Sequence, residues 1–266
     1  MLEYEFMRNA FMAGSAVAIV GGAVGFFLVL RNLTFAGHAL SHVGFAGAAG
    51  SMLLGVNALW GLLAFTLAAG IAMGFLGERL RGRDVAVGIV LSLALGLGVL
   101  FLSLYTAGAA QATAILFGNV LGVSLEAVWV LVGLSVLSLC ALGLVSRPLL
   151  FATLAPELAE AKGTPLRLVS VVFLAIVAIA VAEAAQVVGV LLVFVLMVAP
   201  AAASLRLTTR VGLGLALAVM LALAETWIGI ALAYATDWPT TFWIVVVSCL
   251  IYFASAIKRT TRSTAR

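Results

Sequence analysis

Long apolar stretches separated by short polar segments run through almost the whole chain. Nine of them approach the roughly 20 residues that a helix needs to cross a bilayer. They cover residues 10–30, 33–54, 56–77, 85–106, 125–146, 167–184, 186–205, 211–235 and 239–257. Barrel strands would show short alternating segments instead. The pattern predicts an all-α, polytopic transmembrane helical bundle with eight or nine spans, and a shorter stretch at 112–122 predicts a half-helix or an interfacial turn.

Positive charges fall almost entirely on one side of this predicted bundle. If all nine stretches cross, thirteen of the fourteen lysines and arginines share a side, including a cluster at 79–83 and a tail at 258–266. Only Arg8 lies on the other side. Because cytoplasmic loops are enriched in Lys and Arg, the C-terminus is predicted to be cytoplasmic. Nine spans place the N-terminus outside, whereas a re-entrant histidine segment would leave eight spans and place it inside.

Composition supports the membrane assignment. The chain is 65% hydrophobic and only 9% charged, which is too little charge for a water-facing surface. Cys140 and Cys249 each lie inside an apolar stretch. They are predicted to be small core residues rather than a disulfide or a metal pair.

The connection between residues 146 and 165 is the longest on the predicted cytoplasmic side. It has the residue order that starts and stops a short helix, with a proline first, acids early, a lysine late and a glycine at the end: Pro156, Glu157, Glu160, Lys162 and Gly163. Twenty residues are too few for an independent domain. The segment is predicted to be a docking helix, with a plain surface helix between two spans as the alternative.

The only two histidines, His38 and His42, lie four residues apart within the second apolar stretch. On a helix both imidazoles share one face, with Ser41 beside them. Ionisable groups are costly to bury in hydrocarbon, so they usually line a path or hold a ligand, and imidazole is a common ligand of transition metals. Small residues around the pair predict an interior helix at a bundle or subunit interface. The pair therefore predicts a metal site, with histidines hydrogen-bonded inside the bundle as the alternative.

Two histidines do not complete a metal site, because tetrahedral zinc takes three or four ligands. Glu183 and Glu225 are acids within or near spans. Either could supply an oxygen ligand or accept a hydrogen bond from an imidazole, and each could equally be a protonated, structurally hydrogen-bonded group. The predicted metal pathway therefore consists of His38, Ser41, His42, Glu183 and Glu225.

Motifs for two enzyme classes are missing from the sequence. There is no Gly-x-x-x-x-Gly-Lys-Ser/Thr loop, so the chain is not expected to hydrolyse ATP. There is no His-Glu-x-x-His, so a zinc protease would lack its base.

Several segments occur in an order that is familiar from one family. They are Phe26-Phe-Leu-Val-Leu-Arg-Asn, Gly37-His-Ala-Leu-Ser-His, Val85-Ala-Val-Gly-Ile-Val, Leu116-Phe-Gly-Asn, Leu154-Ala-Pro-Glu-Leu-Ala-Glu-Ala-Lys-Gly and the block that starts at Gln186-Val-Val-Gly. Over nearly its whole length the chain resembles the membrane subunits of bacterial ABC importers for zinc, manganese and iron, the ZnuB/MntB-like permeases.

The resemblance implies a single transmembrane permease domain over residues 1–266, in the bacterial inner membrane. It implies four kinds of partner: a second copy of the chain, cytoplasmic ABC ATPase subunits, an extracytoplasmic metal-binding protein and membrane lipid, but no nucleic acid. The divalent metal would be the substrate, and no intrinsic cofactor is implied. ATPase coupling would fall to the segment at about 148–163, through Leu154, Pro156, Glu157, Leu158, Glu160 and Gly163.

Two departures from the family pattern bear on the cargo. His38 stands where the family commonly has aspartate, and Phe45-Ala-Gly stands where it usually has Leu-Pro-Gly. Replacing a carboxylate by an imidazole favours zinc over manganese, which prefers oxygen. Zinc is therefore the expected cargo, with manganese, iron or a metal chelate still open.

Two other functional classes remain as alternatives. An intramembrane metalloenzyme would use His38 and His42 as ligands and would need a third ligand and a base. An ion-coupled secondary carrier is disfavoured by the surface helix and by the lack of a convincing internal repeat, which many such carriers have.

Overall fold

The structure is a computed structural model that describes residues 3–76, 83–104 and 114–263. Arg79 and Arg81 of the predicted basic cluster, residues 112–113 of the short apolar stretch and the last residue of the basic tail, Arg266, lie outside these ranges. Within them the chain is almost entirely helical and contains no strand. The predicted all-α bundle is confirmed.

The described residues form ten α-helices and one short 3-10 helix at Val120–Gly122. The α-helices are α1 (Glu5–Leu30), α2 (Thr34–Leu53), α3 (Ala58–Leu76), α4 (Arg83–Leu104), α5 (Leu125–Leu154), α6 (Pro156–Ala161), α7 (Leu166–Val188), α8 (Val193–Leu207), α9 (Val211–Thr236) and α10 (Thr240–Ser263). The nine apolar stretches correspond to the nine long helices of this described part, and the surface helix to α6.

Seven of the described helices are both long and apolar enough to cross a membrane. The other two long helices are α2 and α8. Helix α2 has 20 residues, but its histidines, serines and glycines reduce its hydropathy. Helix α8 has only 15 residues, so it is shorter than a full span. Length and composition alone therefore support seven spans, and α2 and α8 account for the difference from the predicted eight or nine.

Helices α1 and α7 lie at the centre of the bundle. Helix α1 packs against α5, α7, α8 and α9, and α7 also packs against α2, α3 and α5. The side chains of α4, α5, α9 and α10 are more exposed, and the exposed ones are mostly apolar. Cys140 on α5 and Cys249 on α10 are both free and exposed, so their predicted core location is wrong. Lipid is as apolar as a core, so hydrophobicity does not separate the two environments.

The small residues of α2 allow a close helix crossing, as predicted. A Cβ atom added to Gly47 would collide with the carbonyl oxygen of Gly61 on α3, and the reverse also holds. The two backbones are therefore in direct contact at this point. Most of α2 is buried between α3, α4 and α7, so it is an interior helix of the single chain.

Two predicted boundaries differ from the structure. Helix α5 continues past residue 146 to Leu154, with Pro148 inside it, because a proline removes only one backbone hydrogen bond and need not end a helix. The predicted boundary near 185 lies instead at Gly189, where φ is 91° and the chain leaves the helix before α8 begins.

The break at Gly189 packs against the short apolar stretch. Residues 114–117 form a helical turn, and the N–H groups of Val190 and Leu191 donate to the carbonyls of Ile115 and Leu116 at 3.1 and 3.2 Å. Irregular backbone is tolerated at membrane depth only where protein or a cavity satisfies it. Part of the predicted half-helix thus provides partners for the broken segment.

Candidate metal pathway

A tight turn between α1 and α2 positions the histidines. Asn32 adopts φ 55°, and the N–H groups of Asn32 and Leu33 donate to the carbonyls of Val29 and Leu28 at 3.1 and 2.9 Å. This is a Schellman motif, in which a left-handed residue ends the helix and satisfies its last carbonyls. Because only three residues separate α1 from α2, His38 lies eight residues after Leu30, the last residue of α1.

The two histidines are in contact on one face of α2, as the sequence predicts. Their ring centroids are 4.7 Å apart with the planes at 85°, and both side chains are half-buried. The ring of Phe194, on α8, lies edge-on to His38 with centroids 5.2 Å apart. The Nδ1 atom of His38 is buried and has no hydrogen-bond partner in the described chain. The alternative of a fully hydrogen-bonded structural pair is therefore not what the structure contains.

Ser41 is close in sequence but is directed elsewhere. Its side chain is fully buried, and its hydroxyl donates to the backbone carbonyl of His38 at 2.7 Å. This bond to the preceding turn satisfies the hydroxyl proton within α2. Its role in the pathway stays a prediction.

Glu183 lies on α7 and is fully buried. Its two oxygens accept hydrogen bonds from Ser135 at 2.8 Å and Ser138 at 3.1 Å, both on α5. The serines are three residues apart, so they share one face of their helix. This arrangement joins α5 to α7 through a buried carboxyl group and corresponds to the structural alternative for Glu183.

Glu225 lies on α9 and is also fully buried. Its Oε2 accepts a hydrogen bond from Ser248 of α10 at 2.6 Å. Its Oε1 is buried and has no partner among the described residues. Glu225 therefore joins α9 to α10 through one oxygen and leaves the other unused.

The structure does not bring the two glutamates to the histidine pair. Among the residues described, no three or more His, Cys, Asp or Glu side chains are grouped closely enough to hold a metal ion. The pair thus offers two nitrogen ligands of an incomplete set within one chain. A metalloenzyme would need a third ligand and a base beside them, and this part of the chain supplies neither.

Sequence reasoning missed the neighbours of these residues. Phe194, Ser135, Ser138 and Ser248 all lie in apolar stretches where a lone aromatic or serine is common. The i, i+3 spacing of Ser135 and Ser138 was a readable signal for a shared polar face. Nothing local indicated which acid they would meet.

The predicted surface helix is present as α6, and its ends have the predicted chemistry. Pro156 is the first helical residue and Glu157 lies in the first turn. Gly163 adopts φ 75°, and the N–H groups of Gly163 and Thr164 donate to the carbonyls of Glu160 and Ala159 at 2.8 and 2.9 Å. This is a second Schellman motif, and it ends α6 after six residues.

Helix α6 presents an exposed surface. Ala159 is fully buried and anchors it to the bundle, whereas Leu154 is 65% exposed and Leu158 is 52% exposed. The predicted coupling residues at this surface are exposed, namely Leu154, Pro156, Glu157, Leu158, Glu160 and Gly163. Exposed apolar and acidic side chains on a short helix form a surface that could contact a protein partner.

These features define a class of protein: a polytopic helical membrane protein with a half-buried histidine pair and one short exposed helix between two spans. The comparison with known sequences identifies the family. Residues 3–259 match the ABC 3 transport family, to which the chain belongs.

Individual relatives agree with this assignment. The chain is 32% identical over 182 residues to the manganese import system permease protein ScaB of Streptococcus parasanguinis, covering 66% of this chain and 63% of that protein. It is 32% identical over 164 residues to the manganese transport system membrane protein MntC of Listeria monocytogenes, covering 61% and 58%. The matched parts thus span about three fifths of these relatives.

A solved structure has the same fold over nearly the whole chain. A chain of PsaBC from Streptococcus pneumoniae, determined in complex with a Fab, superposes with a TM-score of 0.86 and 25% identity. The match covers 96% of this chain and 92% of that chain.

Proposed function

We propose that the chain is the membrane-spanning permease subunit of an ATP-driven importer of divalent transition metal. Membership of the ABC 3 transport family over residues 3–259 is the observation that carries this proposal. The half-buried histidine pair on α2 supplies nitrogen ligands along the path, and α6 supplies a contact for a separate ATPase subunit. ATP hydrolysis is assigned to that partner.

Manganese is the proposed cargo. The relatives ScaB and MntC are both named for manganese, and neither supports the preference for zinc that was expected from His38. The metal acts as substrate, so a pair of imidazoles that binds weakly and releases is better suited to it than a complete, tight site. Iron and zinc are competitors to be measured.

A second copy of the chain and an extracytoplasmic metal-binding protein are proposed as further partners. The histidine pair offers only two ligands, and a second copy related by two-fold symmetry would bring two more. The positive charges favour a cytoplasmic C-terminus in the bacterial inner membrane. In this orientation α6 faces the cytoplasm, where ATP is available.

The test is uptake by the assembled complex. The chain is coexpressed with ATPase and metal-binding proteins from neighbouring genes and reconstituted in vesicles, and ATP-dependent uptake of radiolabelled Mn²⁺ is measured. We expect uptake that competing Zn²⁺ and Fe²⁺ reduce less effectively than unlabelled Mn²⁺. Unlabelled Zn²⁺ competing better than Mn²⁺ would reverse the assignment of cargo, and uptake that persists without ATP would refute the ATP-driven mechanism.

His38→Ala and His42→Ala test the pathway in the same vesicles. Each removes one imidazole, so uptake is expected to fall at least tenfold. Ser92→Ala is a matched control, because this α4 hydroxyl is exposed and donates only within its own helix, to the carbonyl of Gly88 at 2.9 Å. Unchanged uptake and metal selectivity in both histidine variants would remove the pair from the pathway.

A further inference from the structure

Arg31 begins the three-residue connection between α1 and α2, and the proposed metal pathway does not include it. It caps the C-terminus of α1, where its N–H donates to the carbonyl of Phe27 at 3.0 Å. Its side chain is half-buried and donates hydrogen bonds to residues of α5 and α7. An arginine held inside an apolar bundle requires specific partners.

The guanidinium group connects three helices. Its Nη1 donates to the hydroxyl of Thr153 on α5 at 3.2 Å, and its Nη2 donates to the hydroxyl of Ser170 on α7 at 3.0 Å. The same group lies over the ring of Phe173, one turn further along α7, with 5.7 Å to the centroid. Two terminal nitrogens in one rigid plane can bridge two helices in a way that a lysine ammonium does less well.

The two hydroxyl partners flank the exposed helix α6. Thr153 lies in the last turn of α5, three residues before Pro156 begins α6, and Ser170 lies in the second turn of α7 after it. Thr153 also donates to the carbonyl of Leu149 at 2.6 Å, so its oxygen is fixed to α5. Arg31 thus holds both ends of the segment whose tip is α6.

From this placement we propose that Arg31 is a positioning residue that transmits movement of α6 to the histidine pair. This rests on the proposed function, in which an ATPase subunit contacts α6. A shift of α6 displaces the ends of α5 and α7 that hold the guanidinium. Because Arg31 is followed directly by the Asn32 turn and then by α2, the shift reorients the first turns of α2, which carry His38 and His42.

The physical requirement for such coupling is a continuous packed connection between the two regions. Here the connection is short: Arg31 donates hydrogen bonds to Thr153 and Ser170, and His38 follows Arg31 by seven residues, which include the turn. Packed helices respond to small displacements by discrete shifts rather than by gradual deformation.

The experiment measures the ratio of Mn²⁺ transported to ATP hydrolysed by the reconstituted complex. Arg31→Gln removes both bridging hydrogen bonds. We expect the ratio to fall at least tenfold, while the ATPase subunit still copurifies and hydrolyses ATP within twofold of the wild-type rate. Arg31→Lys retains one donor group and is expected to give an intermediate ratio.

Arg206→Gln is the matched control. Arg206 is also half-buried, and it donates to the hydroxyl of Tyr252 at 2.6 Å, which joins α8 to α10 and neither flank of α6. Its ratio is expected to stay within twofold of the wild-type value. If Arg31→Gln does not assemble, Thr153→Val combined with Ser170→Ala keeps the arginine and removes these two acceptors, with the same expected loss.

A wild-type ratio in Arg31→Gln, or in the Thr153→Val, Ser170→Ala chain, overturns the proposal. An equal fall in Arg206→Gln also overturns it, because the effect would then be general. These outcomes differ from failure of the proposed function, in which the wild-type complex itself would not carry metal.

Discussion

The buried carboxyl group of Glu183 gives a sharp prediction about stability. Among the described residues, Ser135 and Ser138 on α5 donate hydrogen bonds to its two oxygens. Ser135→Ala and Ser138→Ala each remove one donor, and the double substitution removes both. The carboxyl group is fully buried on α7.

The geometry sets the expected size of each effect. One side-chain hydrogen bond between membrane helices is worth about 0.6 kcal/mol on average, up to about 1.7 kcal/mol. Each single substitution leaves the other serine in place and should cost about 1 kcal/mol. The double substitution leaves a buried carboxyl group without donors, which should cost about 3 kcal/mol. The double loss should therefore exceed the sum of the single losses, as expected for groups that share one partner.

Thermal unfolding of the purified protein in detergent measures these costs. One kcal/mol shifts Tm by about 2–4 °C in a protein near this size, so the single variants should lose about that much and the double variant about 6–12 °C. Ser146→Ala is the control on the same helix, because its half-buried hydroxyl donates to the carbonyl of Gly143 at 2.8 Å, within α5. Its Tm should change by less than about 2 °C.

Two results would refute the reasoning. If the double variant unfolds within 2 °C of the wild type, the serines do not stabilise the buried carboxyl group. If Ser146→Ala loses as much as either single variant, loss of any α5 hydroxyl has the same effect and the contact with Glu183 is irrelevant.

Two further predictions concern packing and docking. Gly61→Ala places a methyl group against the carbonyl of Gly47 and should cost at least about 1–3 kcal/mol, seen as a lower Tm, whereas Gly133→Ala, which has open space around it, should leave Tm unchanged or slightly raised. Leu158→Ser should reduce copurification of the ATPase subunit at least fivefold with unchanged Tm, because this leucine is exposed on α6. Leu54→Ser, at an exposed leucine in the turn after α2, should not affect copurification, and equal losses would exclude a specific role for α6.

The helices could be predicted from sequence because each is a long apolar run with polar ends. Helix α6 was also predictable, since proline commonly begins a helix and glycine commonly ends one, as Pro156 and Gly163 do here. The break at Gly189 was placed a few residues early. Its position depends on the backbone of residues 114–118, which is distant in sequence and packs against it. Local patterns cannot contain that information.

Which face of each helix is buried could not be read from hydrophobicity. Cys140 and Cys249 are as apolar as core residues and yet are exposed. Lipid and protein interior are similarly apolar, so both environments accept such side chains. In such a bundle the polar residues carry most of the readable information. The i, i+4 spacing of His38 and His42 predicted a shared face correctly, since this depends only on helix geometry.

The hydrogen-bond partners of the polar residues show which of them are satisfied within the described part of the fold. The hydroxyl of Ser41 donates a hydrogen bond to a carbonyl of its own helix, and Glu183 accepts hydrogen bonds from two serines. Both side chains therefore have partners within the fold. His38 and Glu225 differ, because Nδ1 of His38 and Oε1 of Glu225 are buried and have no partner among the described residues. A buried polar atom without a partner costs free energy, so its retention calls for an interaction that the isolated chain does not supply. At His38, which contacts the ring of His42, a transient metal ligand would meet that requirement, and Oε1 of Glu225 meets the same criterion on α9.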